Sequence, residues 1–261
     1  MKPSKMYKVY RAFNLNRILL QFKFPPKLAY CVICDKNTLL VRTDNSPRIG
    51  NRCLSCHSIA HHRAIFSLVC EYFGSDLHKL TGGSVYEISR HGALYDKLSI
   101  LSANVQFDFH CSEFNNELNF GEIHNGIRNE NIELLSFEDN KFDLCTSTSL
   151  MEHVENDEAG FSEIYRCLKP QGYYIFTVPF SYKRKKTTIR AIRESDGNIK
   201  QLCIPEYHDD HRGEKSVFTW RNYGIDIMEK LATIGFDSRL SNVMLPNLDE
   251  PMPVFVACKR L

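Results

Sequence analysis

The chain has 261 residues, which is enough for one large α/β domain together with a short additional module. Apolar residues make up 43% and charged residues 25%, and no stretch approaches the ~18 apolar residues that span a bilayer. This composition excludes a membrane-spanning protein, and we do not expect secretion, because polar residues interrupt the apolar run around Ile18.

The net charge of +2 is unevenly distributed along the chain. Residues 1–63 contain twelve lysines and arginines but only two aspartates, hence +10, and the remainder contains 21 basic and 29 acidic residues, hence −8. Such an asymmetry predicts that the N-terminal part contacts something anionic. Nucleic acid, peripheral contact with a membrane surface and the acidic body of the same protein remain open as partners.

The first predicted element is a basic amphipathic arm over residues 1–30. Its aromatic and aliphatic residues recur among basic ones with a roughly helical spacing, and the pattern ends before Pro25-Pro26. After a cysteine-rich stretch, residues 61–80 predict a linking helix, because Ile65, Leu68 and Val69 form one apolar stripe.

The cysteine-rich stretch at 31–60 predicts a zinc-ribbon module. Two C-x-x-C pairs, Cys31 with Cys34 and Cys53 with Cys56, are separated by 18 residues, a spacing typical of structural zinc sites. A closed shell of four thiolates would hold structure and leave no position for chemistry. The alternative is four buried or redox-active cysteines without metal. The other six of the ten cysteines occur singly, which indicates reduced, cytoplasmic chemistry.

From Gly82 onward, short apolar strands alternate with helical segments, a pattern that predicts an α/β domain built around a parallel sheet. Two final apolar runs, at 236–245 and 253–259, complete the domain. Strands are predicted near 84–89, 105–113, 131–135, 142–148 and 173–179, and helices near 92–101, 157–169 and 221–234.

Ordered motifs in this domain resemble those of a known enzyme family. The segments are Phe142-Asp143-Leu144-Cys145, Leu150-Met151-Glu152-His153-Val154 and Glu163-Ile164-Tyr165-Arg166-Cys167-Leu168-Lys169-Pro170-Gln171-Gly172. They resemble the class I S-adenosylmethionine (SAM)-dependent methyltransferases of the methyltransferase type 11 group. Cys56-His57-Ser58, followed by His61-His62-Arg63, is similar to the junction of a bacterial subgroup in which a zinc ribbon precedes this domain.

The resemblance implies a Rossmann-like, seven-stranded methyltransferase sheet over residues 81–261, mostly parallel with an antiparallel last strand. It also implies SAM as the cofactor. In such a sheet the ligand lies at the carboxyl ends of the strands. The expected cofactor-binding residues at those ends are Glu87, Ser89, Gly92, Glu113, Asn131, Ile132, Thr148 and Leu150.

Within this set, three roles follow from the resemblance. Glu87 and the loop to Gly92 would surround the methionine end of SAM, Glu113 would accept hydrogen bonds from the ribose hydroxyls, and Asn131 would contact the adenine. The loop itself differs from the family's glycine-rich pattern, because Ser89-Arg90-His91 precede Gly92.

Two polar clusters are candidates for catalysis. Glu152 and His153 follow the fourth strand, where they either face the substrate or begin a helix. His211 belongs to a run that starts at His208, inside a predicted substrate lid at 181–220, where it is either a base or a solvent-exposed side chain. The same lid carries a basic run from Lys183 that would attract an anionic acceptor.

The sequence therefore predicts a cytoplasmic SAM-dependent methyltransferase that acts on an oxygen or nitrogen of a glycan or small biosynthetic intermediate. One alternative is a methyltransferase for ribosomal or transfer RNA. The other is a non-catalytic zinc-ribbon protein that binds nucleic acid and retains the methyltransferase domain as a scaffold.

Overall fold

The structure is a computed structural model that describes residues 23–46, 50–209 and 216–261. Most of the predicted arm at 1–30 and all of the predicted catalytic His211 lie outside the described residues. Within them, no helix combines the length and the apolar character needed to cross a membrane.

The N-terminal part forms a small antiparallel sheet, which we name the cysteine module. Its strands are β1 (Lys27–Cys31), β2 (Lys36–Arg42) and β3 (Asn51–Cys53), in the order β1-β2-β3. A tight turn follows β1 and another follows β3, and each places one C-x-x-C pair. In both turns the residue after the second cysteine has a left-handed backbone, with φ of 55° at Asp35 and 60° at His57.

The linking helix α1 (Ala60–Phe73) begins directly after the cysteine module and ends at Gly74, whose φ of 89° stops the helix. Its apolar stripe is buried as predicted from the spacing of Ile65, Leu68 and Val69. Side chains of the cysteine module, of α1 and of the main sheet belong to one hydrophobic core. The module is therefore packed onto the domain and shares its core.

The rest of the chain alternates strands and helices. In chain order these are β4 (Ser84–Glu87), α2 (Ala93–Val105), β5 (Asp108–Glu113), β6 (Ile123–His124), β7 (Ile127–Asn129), β8 (Phe142–Thr148), α3 (Asp157–Cys167), β9 (Leu168–Thr177), β10 (Thr188–Ile189), β11 (Ala191–Arg193), β12 (Ile199–Gln201), β13 (Tyr207–Asp209), β14 (Ser216–Phe218), β15 (Arg221–Asn222), α4 (Ile227–Ile234), β16 (Phe236–Val243) and β17 (Met252–Lys259).

The main sheet has the strand order β16-β17-β9-β8-β4-β5-β7-β6. Its centre is parallel, from β9 through β8 and β4 to β5 and β7, and the last strand of the chain, β17, pairs antiparallel with β9. The predicted Rossmann-like sheet with an antiparallel last strand is confirmed. An eighth, two-residue strand, β6, extends the edge by pairing with β7.

Several predicted boundaries are wrong: the linking helix ends at Phe73 instead of residue 80, the strand predicted from 173 begins at Leu168, and two further differences have a clear physical reason. The third parallel strand, β7, ends at Asn129, before the predicted range of 131–135. There the Asn131 side-chain oxygen accepts a hydrogen bond from the amide of Glu133 at 3.0 Å, so the chain turns instead of extending. The helix predicted at 221–234 begins only at Ile227, because Arg221–Asn222 pair with β10 as a strand.

The segment predicted as a lid, 181–220, folds into short hairpins that return to the carboxyl end of β8. β10 pairs with β15, β11 with β12, and β13 with β14. The amide of Trp220 donates to the carbonyl of Glu152 at 2.9 Å. This segment is therefore attached directly to the residues that follow β8.

Arg63 fastens the start of α1 to the cysteine module. Its side chain is almost fully buried, at 1% exposure. The guanidinium donates to the Ser58 carbonyl at 2.7 Å and to the Asn51 side-chain oxygen at 2.6 Å. Because these acceptors are buried with it, the three groups depend on one another for their hydrogen bonds.

We predict that Arg63→Ala lowers the free energy of unfolding by roughly 3 kcal/mol, because it leaves buried acceptors unpaired. Arg239→Ala is the matched control, since Arg239 forms an exposed ion pair with Glu71 of the same helix at 2.9 Å. That loss should stay below about 1 kcal/mol. Urea unfolding measures both, and equal losses would contradict the role given to Arg63.

Candidate active site and metal centre

The four thiols of the cysteine module converge on one point. The Sγ atoms of Cys31 and Cys56 are 3.7 Å apart, as are those of Cys34 and Cys53, and all four lie within 4.8 Å of one another. With Zn–S bonds of ~2.3 Å, neighbouring sulfurs of a tetrahedral shell are ~3.8 Å apart. These residues therefore fit a zinc ion with a closed S₄ shell.

Backbone geometry supports the same arrangement. The amide of Asp35 donates to the Cys31 carbonyl at 2.8 Å, and the amide of His57 donates to the Cys53 carbonyl at 2.9 Å. The two turns are thus equivalent knuckles. His57 occupies the left-handed position of the second knuckle, which explains its place next to Cys56 without making it a ligand.

At the carboxyl end of β4, Glu87 is buried against β8. Its carboxylate accepts a hydrogen bond from the Thr146 hydroxyl, and only 2% of the residue is exposed. Burial raises the pKa of the Glu87 carboxyl to about 8, although the bond from Thr146 opposes the shift. A substantial fraction of Glu87 is therefore protonated near neutral pH.

The loop after β4 contacts the acid at the end of β5. The Arg90 amide donates to Glu113 Oε1 at 3.3 Å, and His91 Nε2 lies 3.2 Å from the same oxygen. Within the loop, the His91 amide donates to Ser89 Oγ at 3.1 Å. In place of a glycine-rich loop, this protein has a loop whose Arg90 amide and His91 side chain reach the predicted ribose-binding carboxylate.

Two histidines of helix α1 contact residues at the carboxyl edge of the sheet. A Cβ added to Gly92, whose φ is 100°, would lie 2.9 Å from His62 Cε1, so the helix and the loop pack in close contact. His61 Nδ1 is 2.7 Å from Thr177 Oγ1 at the carboxyl end of β9. Both histidines are buried.

The remaining predicted cofactor residues follow the ends of β7 and β8. Thr148 Oγ1 is buried without a hydrogen-bond partner among the described residues, so it is a polar atom that a ligand could satisfy. Asn131 uses its side-chain oxygen in its own turn. Ile132 and Leu150 are partly buried and pack against the second hydrophobic core.

The residues after β8 form what we name the polar cluster, Glu152, His153 and His208. Glu152 is completely buried, and neither carboxylate oxygen has a hydrogen-bond partner among the described residues. His153 Nε2 lies 3.7 Å and His208 Nδ1 3.9 Å from Glu152 Oε1. Burial raises the pKa of Glu152 to about 8, against the influence of the Arg221 charge.

The polar cluster joins two groups that are separate in the sequence. The sequence predicts Glu152 and His153 as site residues. In the second group it favours His211 over the neighbouring His208 as the candidate catalytic residue. The hairpin of β13 and β14 brings His208 next to His153, and the centroids of the two rings are 4.9 Å apart. The run of histidines and aspartates at 208–211 pointed to this segment, but only strand pairing fixes which residue faces the cluster.

The carboxyl edge of the sheet is distinct from a groove of about 950 Å³ near the cysteine module. That groove is lined by residues that precede β4 and β5, including Thr81 and Gln106, and by Lys97 of α2. It therefore lies toward the amino ends of the parallel strands. Ligands of doubly wound sheets bind at the opposite, carboxyl edge.

We predict that Glu87→Gln reduces the pH dependence of stability between pH 5 and 8. The folded-state pKa of about 8 exceeds the ordinary glutamate pKa of 4.5, so ionisation costs stability as the pH rises through this window. The amide can still accept the Thr146 hydrogen bond without titrating. Thermal unfolding across this range measures the difference, and parallel profiles for variant and parent would refute the assignment.

The sequence of this domain matches a family model. A model described as a methyltransferase domain matches residues 95–176, which run from α2 into β9 and thus begin just after the loop at 89–92. No curated protein sequence matches the chain.

Solved structures of similar fold include three methyltransferases. They are the SAM-dependent methyltransferase of Mesorhizobium loti (15% identity, 69% of this chain and 92% of that chain, TM-score 0.43), that of Clostridium acetobutylicum (13%, 76% and 90%, 0.45) and the putative one of Listeria monocytogenes (12%, 75% and 100%, 0.44). Over residues 95–176 the chain is thus similar to a methyltransferase domain, and its sheet has the mostly parallel, Rossmann-like strand order expected of such a domain.

Proposed function

We propose that this protein transfers a methyl group from SAM to an oxygen or nitrogen of a glycan or other small biosynthetic intermediate. The observation that carries the proposal is the buried polar cluster, which directly follows β8 at the edge where parallel strands present their carboxyl ends. The acceptor's reacting group would lie against this cluster, opposite the cofactor residues at the ends of β4, β5 and β7.

The residues at the strand ends would hold SAM. Glu113 offers two carboxylate oxygens for the ribose hydroxyls, Asn131 an amide for the adenine, and Glu87 with Ser89 and Gly92 a boundary for the methionine end. In this structure Glu113 Oε1 lies 3.2 Å from His91 Nε2 and 3.3 Å from the Arg90 amide. Binding would exchange these for the ribose hydroxyls, so the loop at 89–92 would shift as the cofactor enters.

Bound SAM supplies a methyl group on a positively charged sulfur. The acceptor's lone pair would form a bond to the methyl carbon while the methyl–sulfur bond breaks, and the electron pair would stay on sulfur to leave S-adenosylhomocysteine. Most of the catalytic effect comes from positioning the two reactants in line. An acceptor O–H also loses its proton, and the polar cluster of Glu152, His153 and His208 is the group able to promote that loss.

The lid supports a small acceptor over a nucleic acid. Arg190 pairs with Glu206 at 3.0 Å, Arg193 pairs with Glu155 at 2.5 Å, and Arg184 donates to the Tyr223 carbonyl at 3.1 Å. Arg193 and Arg184 hold the lid to the domain and Arg190 pairs within the lid, so all three arginines are engaged within the protein. An RNA acceptor would instead depend on free cations that neutralise phosphates.

We also propose that the cysteine module carries a structural zinc ion, because its sulfurs match a tetrahedral shell. All ten cysteines are free of disulfides. Thiols that remain reduced support the cytoplasm as the compartment.

Calorimetry with S-adenosylhomocysteine tests the cofactor assignment. We expect the zinc-loaded protein to bind it, and we expect Glu113→Ala to raise the Kd by about tenfold or more, because two charge-assisted hydrogen bonds are lost. Glu117→Ala is the matched control, because it removes the same charge from an exposed position four residues further on. Its Kd should equal that of the parent.

Two results would contradict the proposal. Absence of binding by the zinc-loaded parent would make the domain a scaffold. Equal affinities of the Glu113 and Glu117 variants would remove Glu113 from the ribose site. Steeply salt-dependent binding of RNA by the full chain would favour the nucleic-acid alternative over a small acceptor.

A further inference from the structure

In the polar cluster, one ring nitrogen of His153 faces one ring nitrogen of His208. The distance between these two nitrogens leaves no room for a proton on each. His208 Nδ1 lies 3.3 Å from His153 Nε2, and both lie within 4 Å of Glu152 Oε1. The three ligand-type atoms therefore form a small triangle, and its most buried corner is a carboxylate.

The outer contacts of both rings determine where their protons are. His153 Nδ1 is 2.8 Å from the carbonyl of Phe218, which can only accept, so this nitrogen carries a proton and donates. His208 Nε2 is 3.0 Å from the carboxylate of Glu206 and donates in the same way. In their neutral forms, both rings then present an unprotonated nitrogen to Glu152.

This arrangement is unfavourable unless a cation or additional protons occupy the triangle. Two lone pairs and a carboxylate would otherwise converge in a buried space where the charge of Glu152 is poorly solvated. Arg221 does not relieve it by hydrogen bonding, because its guanidinium donates to the carbonyls of Met151, Val154 and Glu155. Both oxygens of Glu152 stay unpaired among the described residues.

The geometry matches a metal with two imidazole ligands and one carboxylate. In a tetrahedral shell with bonds of ~2.05 Å, ligand atoms are ~3.3 Å apart. The three measured separations of 3.3, 3.7 and 3.9 Å need only a small contraction. A histidine that donates its outer N–H to a carbonyl or carboxylate is also the usual support for a metal-bound imidazole.

We propose that Glu152, His153 and His208 bind a second zinc ion, separate from the cysteine module. Three protein ligands leave a fourth position open, unlike the closed S₄ shell. The site is one-third exposed on the His208 side, where the side chain is 32% exposed, and closed on the Glu152 side. A ligand can therefore enter from the lid.

A metal in this position would bind the oxygen of the acceptor and lower the pKa of its hydroxyl, so that the proton leaves to solvent before the oxygen takes the methyl group. This catalytic role rests on the proposed function, whereas metal binding itself does not. A hydroxyl-bearing acceptor is then favoured, because a metal can lower the pKa of a bound hydroxyl far enough for it to lose its proton near neutral pH.

The experiment is calorimetric titration of Zn²⁺ into protein that already holds one equivalent in the cysteine module. We expect a second equivalent to bind. His208→Ala should weaken that second step by at least about 100-fold, and Glu152→Gln, which keeps the side-chain shape, should do the same. His78→Ala is the matched control, because His78 also pairs with an acid, Asp76, at 2.6 Å, but on the exposed surface.

A milder substitution tests the position of the ring protons. Glu206→Gln removes the carboxylate that receives the His208 proton but leaves all three ligands, so it should weaken the second step by about 10- to 100-fold. Thermal unfolding of each zinc-loaded variant establishes that it is folded. The pair His208→Ala and His78→Ala keeps the test decisive if Glu152→Gln does not fold.

Two outcomes would overturn the site: no second equivalent in the parent, or a second equivalent that His208→Ala leaves unchanged. In either case the cluster would hold shared protons instead of a metal. Binding of S-adenosylhomocysteine, measured on the same samples, separates the two proposals. Cofactor binding without a second zinc overturns only the metal site, and a second zinc without cofactor binding overturns only the methyltransferase assignment.

Discussion

Three consecutive buried polar residues in the first turn of α1 hold the structure together. Arg63 donates to the cysteine module, His62 packs beneath the loop that follows β4, and His61 contacts the end of β9. Because Arg63 and His61 find their hydrogen-bond partners in the module and in the sheet, the start of α1 is stabilised by both. The module therefore supports the start of α1 next to the carboxyl edge of the sheet, while its four sulfurs converge on one another.

The carboxyl edge combines two electrostatic environments. On the β4 side, Glu87 is buried and Glu113 is partly exposed, so one carboxyl stays largely protonated while the other can accept hydrogen bonds from a ligand. On the β8 side, Glu152 is buried with two imidazoles that already have outer partners. The proposed cationic methyl donor would be complementary to Glu113, and the proposed metal ion to the polar cluster, so both proposals depend on acidic groups at this edge.

The sequence predicted the strand–helix alternation well, because apolar periodicity is a local signal. The cysteine spacing likewise predicted a converging set of thiols. The sequence-based prediction of secondary structure failed at 131–135, where the side chain of Asn131 competes with strand formation. It also failed at 221, where pairing with β10 overrides the helical pattern. It also separated His208 from Glu152, because a contact across more than fifty residues depends on hairpin pairing that no local pattern encodes. The roles of His61 and His62 were missed for the same reason.

The central claim is that the carboxyl edge holds the cofactor on the β4–β5 side and a metal on the β8 side. A crystal structure grown with S-adenosylhomocysteine and recorded at the zinc absorption edge tests both halves at once. The account predicts ribose hydroxyls on Glu113 and two anomalous peaks, one among the four cysteines and one among Glu152, His153 and His208. A single peak at the cysteines, with the nucleoside absent from the ends of β4 and β5, would contradict it.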